Sequence, residues 1–578
     1  MHKTFSMDTI SPDQYFNLGD HRRLITTSSE AAQYWFNHGL NWCYGFNQEE
    51  GLVCFKKALE HDSDCAMAYW GIAYASGPFY NLPWCDFGEK ELAECTRLCF
   101  YHTQKALSFK ERLCAPEITL IEALSKRFQS PDPVSQTEFN RWDDEYSNAM
   151  RTAYQEFPED LDITALFVEA MMTRTPWKLW DVRSGEPGEN AHTLECLEVL
   201  EKAISQSKHS YQTQHPAILH FHIHVLEMSN TPERALESAD ILCDLCPEAG
   251  HMNHMPSHIY ALCGLYDKAK VASEKAIVAD RLYRNYAGDE NFYTTARCHD
   301  LHMMMSSCMF LGLYEPALEA SEEMCASLTP ELIGIPNRPQ MTDTLEGYYS
   351  NKIHVLVRFG RWQEIVDEAM PEPANLYLAS VPMWHYARGI AFSAMGQFEE
   401  ADQEKELFEA ARKLVPPERK IFNNPVTGIL GVAEEMMKGE IEYHRGNHQA
   451  GYAHLRKSVK LDDNLAYSEP WPWMHPPRHA LGALLLEQGH KEEAELVYRT
   501  DLGLNDALYR CAQHPGNIWS LHGLEEILRD REQDEEYDSI KQQLNLAMEK
   551  SGHTVSSSCC CRKSVAVKTS NPGKKPPR

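Results

Sequence analysis

Apolar residues recur along almost the whole chain at intervals of three and four, the spacing that places them on one face of an α-helix. The breaks between these segments are short and contain Gly, Asn, Pro or Asp, and strict alternation of apolar and polar residues is hard to find. In GLYDKAKVASEKAI, from Gly264 to Ile277, a turn glycine and an aromatic residue precede the next helix. The pattern predicts an all-α protein.

The same unit recurs, with turn residues at Asn230, Gly312, Gly360, Gly396 and Gly489. It resembles the tetratricopeptide repeat, a helix–turn–helix motif of about 34 residues. Small residues stand where that family packs its two helices closely, at Ala269, Ala276, Ala317, Ala401 and Ala494. The resemblance implies a tetratricopeptide-like α-solenoid, a right-handed superhelix of helix–turn–helix repeats, with about eight to ten units between residues 30 and 545.

Breaks in this pattern suggest a division of the chain into segments. We expect an N-terminal segment at 1–29, N-terminal helical repeats at 30–182, a loop insertion at 183–190, central histidine-rich repeats at 191–330, C-terminal helical repeats at 331–550 and a tail at 551–578.

Length and charge restrict the class of protein. With 578 residues the chain exceeds one compact core, which agrees with a repeat array. The formal net charge, 55 − 84 = −29, disfavours nucleic acid as a partner, because phosphate contacts need clustered Lys and Arg. Without a long apolar run or a secretory signal, and with 18 scattered cysteines, the sequence predicts no transmembrane segment and a reducing, cytoplasmic location.

The tail from Ser551 onward is rich in Ser, Lys and Pro, and we expect it to be disordered. Its three adjacent cysteines, Cys559, Cys560 and Cys561, lie beside basic residues. Acylation there would hold the protein peripherally on an anionic membrane. A flexible tail without any modification is the alternative.

Histidines concentrate in the central repeats. They lie in HPAILHFHIHVLEMS (His215 to Ser229), HMNHMPSH (His251 to His258) and HDLH (His299 to His302). The first two motifs, in the forms H-P-x3-H-x2-I-H and H-x2-H-M-P-S-H-I-Y, resemble a little-characterised group of repeat proteins widespread in bacteria. That resemblance covers most of the chain except the tail, and it supports the fold without supplying an activity.

Counting back from each turn residue fixes the register of these histidines. Ten residues before the turns at Asn230, Gly264 and Gly312 lie His220, His254 and His302. The positions thirteen, ten and six before the turn share one helix face, which the resemblance places in the concave groove. On this basis we predict a metal site from seven histidines: His220, His224, His251, His254, His258, His299 and His302.

An all-imidazole set suits copper or iron, with zinc as a further candidate, because nitrogen ligands favour these metals over Ca and Mg. The number of imidazoles is enough for two ions, or for one ion plus free acid–base groups. Glu227 continues the face three residues after His224 and is a candidate catalytic base, ligand or imidazole-orienting carboxylate. A polar ligand-binding or structural histidine network is the competing interpretation. Proline at Pro256 predicts a helix start near Asn253, with His251 just outside the helix.

Three functions remain open from the sequence. The first is a metal-dependent oxidoreductase acting on a small molecule in the groove. The second is a non-catalytic scaffold that binds a peptide or protein, the common role of tetratricopeptide arrays. The third is a zinc-type hydrolase. The stretch WPWMHPPRH, from Trp471 to His479, is either a wall that closes one end of the groove or an ordinary interhelix loop.

Overall fold

The computed structural model describes residues 15–209, 214–336, 338–529 and 535–562. Throughout these ranges the regular structure is α-helical apart from two-residue strands, β1 (Lys420–Ile421) and β2 (Asn424–Pro425), which pair antiparallel. The prediction of an all-α protein is therefore confirmed.

The helices follow one another with short connections. In the N-terminal part they are α1 (Glu30–Tyr44), α2 (Gln48–His61), α3 (Ala66–Ser76), α4 (Glu89–Leu107), α5 (Ala115–Arg127), α6 (Gln136–Glu156), α7 (Leu161–Met172) and α8 (Thr193–His209). In the central part they are α9 (Pro216–Glu227), α10 (Leu236–Leu242), α11 (Gly250–His254), α12 (Pro256–Leu262), α13 (Tyr266–Ala287), α14 (Tyr293–Leu311), α15 (Tyr314–Ser327) and α16 (Pro330–Ile333).

The C-terminal part continues the series. Its helices are α17 (Pro339–Tyr349), α18 (Lys352–Arg358), α19 (Trp362–Asp367), α20 (Ser380–Ala394), α21 (Phe398–Arg412), α22 (Val426–His444), α23 (His448–Asp462), α24 (Pro477–Glu487), α25 (Lys491–Asp501), α26 (Ile518–Leu528) and α27 (Glu535–Lys550). Single 3-10 turns occur at Trp84–Asp86, Lys110–Arg112, Pro232–Ala235 and Arg510–Ala512.

The arrangement is that of a tetratricopeptide-like α-solenoid. Most helices pack on a neighbour in sequence, as α1 does on α2 and α22 on α23, and first helices of successive repeats also contact each other, as α20 does α22. The predicted turn glycines adopt positive φ, for example 72° at Gly264 and 76° at Gly312, where a side chain would be strained. At Gly264 a Cβ would also meet the carbonyl oxygen of Pro515 at 2.4 Å.

The central repeats place α9, α11, α12 and α14 side by side, because α9 contacts α12 and α11 contacts α14. Pro256 does not delay the start of its helix as the sequence suggested. The preceding residue, Met255, keeps helical angles (φ −50°, ψ −37°), so α11 and α12 follow each other directly and His251 lies inside α11. Proline at the first position of α12 lacks only an N–H that the junction leaves without a helical partner.

Residues 551–562 differ from the expected disordered tail. Val555 and Cys561 are buried, the Ser558 hydroxyl accepts a hydrogen bond from Tyr498, and Arg562 forms an ion pair with Glu526. These apolar and polar contacts stabilise the segment on the C-terminal repeats, so the expectation of disorder is wrong for this part. Residues 563–578 of the predicted tail lie outside the described residues.

The predicted acylation sites are not freely presented in this arrangement. Cys561 is buried and Cys559 and Cys560 are partly buried. Within the described ranges, no helix has the length and apolar character needed to cross a membrane.

Candidate metal centre

Six of the seven predicted histidines meet in two groups of three. We call His220, His224 and His251 the first triad, and His254, His258 and His299 the second triad. Each triad offers three ring nitrogens that lie within 4.8 Å of one another. The triads adjoin, since the ring centroids of His251 and His254 are 5.9 Å apart and those of His224 and His258 are 6.3 Å apart.

Neighbouring repeats are offset by one helical turn in this arrangement. His220 of α9 contacts His251 at 5.0 Å between ring centroids, and His254 of α11 contacts His299 of α14 at 4.4 Å. In both contacts the first histidine lies ten residues before the turn of its own repeat. The second histidine lies thirteen residues before the turn of the following repeat. The offset explains why positions that are equivalent in the repeat, such as those of His254 and His302, are not the ones that share a triad.

His302 lies apart from both triads. Its Nε2 atom is 3.1 Å from the sulfur of Met474, and its ring stacks on Phe422 with centroids 5.7 Å apart. It is buried in the core that α14 shares with the loop before α24. The structure therefore does not bring this predicted ligand to the other six.

In the first triad, hydrogen bonds fix the orientation of two rings. The Nδ1 atom of His220 lies 2.7 Å from the carbonyl oxygen of Tyr44, and Nδ1 of His224 lies 2.9 Å from one oxygen of Glu227. A carbonyl has no proton to donate, so Nδ1 of His220 must carry the hydrogen. The Nε2 atoms of both rings then hold lone pairs, and neither has a hydrogen-bond partner.

The second triad is held in the same way. The Nδ1 atom of His258 lies 2.8 Å from the other oxygen of Glu227, and Nδ1 of His254 lies 3.2 Å from Asp300. The Nε2 atoms of His254 and His258 are 2.6 Å apart, and Nε2 of His299 is 3.2 Å from that of His258. With protons on Nδ1, the lone pairs of His254 and His258 point at each other.

With both protons on Nδ1 this arrangement repels itself unless a cation lies between the nitrogens, whereas a proton on either Nε2 would make the contact a hydrogen bond. Four ligands at 2.0–2.1 Å from a tetrahedral ion are about 3.3 Å from each other. The separation of 3.2 Å between His258 and His299 matches that value, and the pair at 2.6 Å needs to spread by less than 1 Å. The second triad therefore has the donor atoms and nearly the spacing that a histidine-ligated ion requires.

Burial keeps the imidazoles neutral, as metal ligation demands. It lowers the pKa of His224 and of His299 to about 3. Burial, reinforced by repulsion from neighbouring imidazoles, also lowers the pKa of His220, His251, His254 and His258 well below the usual value. An imidazolium would be very unfavourable in either triad.

Glu227 joins the two triads from behind. It is fully buried, and its two oxygens accept from His224 and His258. Burial raises the pKa of Glu227 to about 8, although a hydrogen bond from the neighbouring Glu469 partly lowers it. Burial raises the pKa of Glu469 further. Of this pair Glu469 holds its proton more tightly, so Glu227 is the carboxyl that ionises first and can then accept from both rings. Of the three roles predicted for Glu227, the geometry fits the imidazole-orienting carboxylate.

Sequence analysis missed two carboxylates and one aromatic ring at the centre. Asp300 follows His299 in HDLH, so its place on α14 was visible, but not its contact with His254. Glu469, close to Nδ1 of His258, comes from the loop before α24, and together with Glu227 and His258 it forms a third group of donor atoms. Phe46, more than 170 residues before the first triad, stacks on His224 and His251 at 5.5 and 5.3 Å.

The stretch WPWMHPPRH spans the end of that loop and the first turn of α24, and the loop lies against the second triad at His258. Met474 contacts His302, and His475 lies 2.9 Å from His354 through their Nδ1 atoms. His479 instead bonds Asp501 at 2.8 Å in the C-terminal core. A further mixed group outside the triads joins His21 and His215 to Asp162 at 3.0 and 3.1 Å.

No protein-family model matches the chain, and no curated protein matches it in sequence. Among solved structures, the human IFIT1 dimer with m7Gppp-AAAA shares 12% identity over 91% of this chain and 90% of that chain, with a TM-score of 0.32. The structure of Naa15/Naa10 bound to HypK-THB shares 12% identity over 90% of this chain and 72% of that one, with a TM-score of 0.20. These TM-scores are too low to support an assignment, so the tetratricopeptide-like α-solenoid is assigned from the arrangement of the helices in this protein.

Proposed function

We propose that the protein is a metal-dependent oxidoreductase whose two histidine triads each hold one metal ion and which acts on a small molecule. The observation that carries the proposal is the pair of Nε2 atoms at 2.6 Å in His254 and His258. With both protons on Nδ1, where Asp300 and Glu227 lie, the two Nε2 lone pairs would meet at one point. A site that gathers six neutral imidazoles in this way is suited to a cation.

Ligand chemistry favours copper or iron, with zinc as the remaining choice. The inward-facing donors of the two triads are imidazole nitrogens, which suit these metals rather than Ca or Mg. The nearby carboxylates of Glu227 and Asp300 contact Nδ1 atoms, so they orient the histidine rings and are not themselves ligands. The expected ligand atoms are therefore all imidazole nitrogens. Adjacent nitrogen-ligated ions of a redox metal are suited to oxidation chemistry, which is why an oxidoreductase comes first.

Space beside the second triad supports a small reactant. A cavity of about 60 Å³ reaches His258 and Glu469, and its walls include Met303, Phe310 and Trp473. This volume accommodates a few heavy atoms at most, since a cavity that holds benzene is on the order of 150 Å³. Its apolar walls favour a neutral molecule such as dioxygen over an ion.

In this account Glu227 is a positioning residue. It contacts the Nδ1 atoms of His224 and His258 and does not face the point where their Nε2 lone pairs converge. Its role is to hold both rings in the tautomer that binds a cation and to tie the two triads together.

Redox chemistry can be tested by loading metal-free protein separately with copper, iron and zinc. Each sample is reduced anaerobically with dithionite, freed of reductant and mixed with dioxygen, and oxygen consumption is recorded. We expect the copper or the iron form to consume dioxygen and the zinc form to consume none. The oxidoreductase assignment fails if the copper and iron forms react no faster than the corresponding His254→Ala/His258→Ala protein.

The two alternatives give different outcomes in the same experiment. Hydrolysis of p-nitrophenyl acetate by the zinc form, lost in the double variant, would favour a zinc-type hydrolase. A protein that binds no metal would leave a scaffold that binds a peptide or protein partner. For that role the central groove is poorly suited, because His220, His254 and His258 are at most 1% exposed. Glu469, from the loop before α24, lies against His258. A protein partner would have to use another surface of the solenoid.

A further inference from the structure

A second and larger cavity lies between α2, α3, α4 and the start of α14. Its volume is about 170 Å³, comparable to the cavity of roughly 150 Å³ that holds a benzene ring. Its inner part is apolar and is lined by Leu52, Phe79, Leu82, Phe87, Leu98 and Phe292. Size and lining fit one six-membered ring or an aliphatic group of similar bulk.

Phe46 forms the wall between this cavity and the first triad. The same ring that lines the cavity lies 4.6 Å from His220 between centroids and stacks on His224 and His251. Its backbone has a φ of 57°, a conformation that residues other than glycine rarely adopt and that often marks functional positions. A molecule bound in the cavity is therefore one aromatic ring away from the candidate metal centre.

Acidic side chains surround the polar part of the cavity. Glu49, Glu91 and Glu94 line it, and Glu94 is exposed to solvent. Arg338 is the basic group close to them, 2.8 Å from Glu49 and 3.7 Å from Glu91. Three carboxylates against one guanidinium leave an excess of negative charge, which attracts a cation to a site whose depth is apolar.

We propose that this cavity binds a small amphipathic cation, a single ring or compact apolar group that carries a protonated amine. The apolar group enters between Leu52, Leu98 and Phe292, and the ammonium group remains beside Glu94. Binding itself does not depend on metal. The further step, that this molecule is the organic substrate of the centre behind Phe46, rests on the proposed function.

The binding step is tested on metal-free protein with three probes that share a phenyl ring on a two-carbon chain and differ in charge: 2-phenylethylamine, 2-phenylethanol and 3-phenylpropionate. Isothermal titration calorimetry at pH 7 should give the tightest binding for the amine, weaker binding for the alcohol and the weakest for the carboxylate. Absence of amine binding, or an order in which the carboxylate binds best, would overturn the proposal.

Two variants locate the site. Leu98→Trp fills the apolar end and should abolish amine binding, whereas Leu496→Trp, on an exposed leucine of α25, should leave it unchanged. Glu94→Gln should weaken amine binding about two- to fivefold, as expected for a solvated ion pair, and should leave 2-phenylethanol unaffected. Glu60→Gln, an exposed glutamate of α2, is its control. Unchanged amine binding in both Leu98→Trp and Glu94→Gln would show that the cavity is not the site.

The substrate step has its own readout. In protein loaded with copper or iron and supplied with dioxygen as the two-electron oxidant, the amine, dioxygen and water would give the aldehyde, ammonia and hydrogen peroxide. Disappearance of 2-phenylethylamine is followed by chromatography, and Leu98→Trp should prevent it while metal content stays at the wild-type value. Amine binding by a protein that takes up none of copper, iron or zinc on reconstitution would overturn the proposed function and leave the cavity proposal standing. Metal-loaded protein that reduces dioxygen but binds no amine would overturn the cavity proposal and leave the proposed function standing.

Discussion

The Nε2 atoms of His254 and His258 lie 2.6 Å apart, one helical turn from each other across the junction of α11 and α12. Each ring is held from behind, His254 by Asp300 and His258 by Glu227. Two lone pairs forced together in a buried site cost free energy, and a bound cation converts that cost into ligation. The predictions below follow from this relationship and from the residues around it.

Replacing Glu227 by glutamine should weaken metal binding without removing a ligand. A glutamine side chain has one acceptor oxygen, so it can hold His224 or His258 but not both. Loss of such an orienting partner typically lowers metal affinity by about 10- to 100-fold. Competition with a chromophoric chelator measures the change. The matched control is Glu404→Gln, which removes a carboxylate that contacts Nδ1 of His385 at 2.6 Å outside the centre. Equal affinities in the two variants would contradict the role of Glu227.

The variant His302→Ala tests whether the metal ligands are the seven histidines predicted from the sequence or the six histidines of the two triads. Because this ring contacts Met474 and Phe422 and not the triads, the variant should retain the full metal content of the wild type. It should lose about 1–3 kcal/mol of stability, since a buried ring is removed from a packed core. Elemental analysis and urea unfolding give the two values. A loss of one ion per chain would return His302 to the ligand set.

Much of the fold was visible in the sequence, because the helical spacing of apolar residues and the turn glycines directly encode helix pairs. Gly264 and Gly312 stand where a positive φ is needed, and the repeat period placed α9, α12 and α14 as neighbours. The histidine face on each helix followed from the same spacing.

The composition of the triads could not be obtained that way. Equal positions in successive repeats suggested that His302 would join His254, but the one-turn offset between neighbouring helices puts His299 there instead. Glu469 and Phe46 reach the centre from segments far away in sequence, and long-range contacts of this kind have no local pattern. Disorder was expected for residues 551–562 because their composition is polar. Contacts such as the hydrogen bond from Tyr498 to Ser558 nevertheless hold this segment on the repeats, and composition does not reveal them.

Gly250, the first residue of α11, should not tolerate a side chain. A Cβ there would lie 1.8 Å from Oδ1 of Asp280 and 2.7 Å from the hydroxyl of Tyr293, which contacts the backbone of His251. We expect Gly250→Ala to cost about 1–3 kcal/mol and to shift the helix that carries His251 and His254. Gly428→Ala, in α22, meets only Leu465 at 3.8 Å and should be neutral or stabilising by about 0.5–1 kcal/mol. Thermal unfolding of the two variants compares them, and equal effects would count against the close packing of α11.

Acid should destabilise the metal-free protein in a defined window. Burial lowers the pKa of His354 to about 3, whereas the unfolded chain has its ordinary value near 6.5. The unfolded state therefore binds the proton first, so stability present above pH 6.5 is lost as the pH falls from 6.5 towards 3, by up to about 1.4 kcal/mol per pH unit for this group.

Substitution of this histidine isolates its share of the pH dependence. In His354→Gln the loss of unfolding free energy between pH 6.5 and 5.5 should be smaller than in the wild type by about 1 kcal/mol. Urea unfolding at the two pH values measures the difference. Identical slopes in the wild type and His354→Gln would contradict the buried neutral imidazole.

The most direct test of two adjacent histidine-ligated ions is the number of metal ions per chain after reconstitution with copper, iron or zinc and removal of excess metal. We predict about two ions for the wild type and for His454→Ala, and about one for His254→Ala/His258→Ala, in which the first triad is intact. A wild-type protein that retains none of the three metals, or a double variant that retains as much as the wild type, would contradict the account.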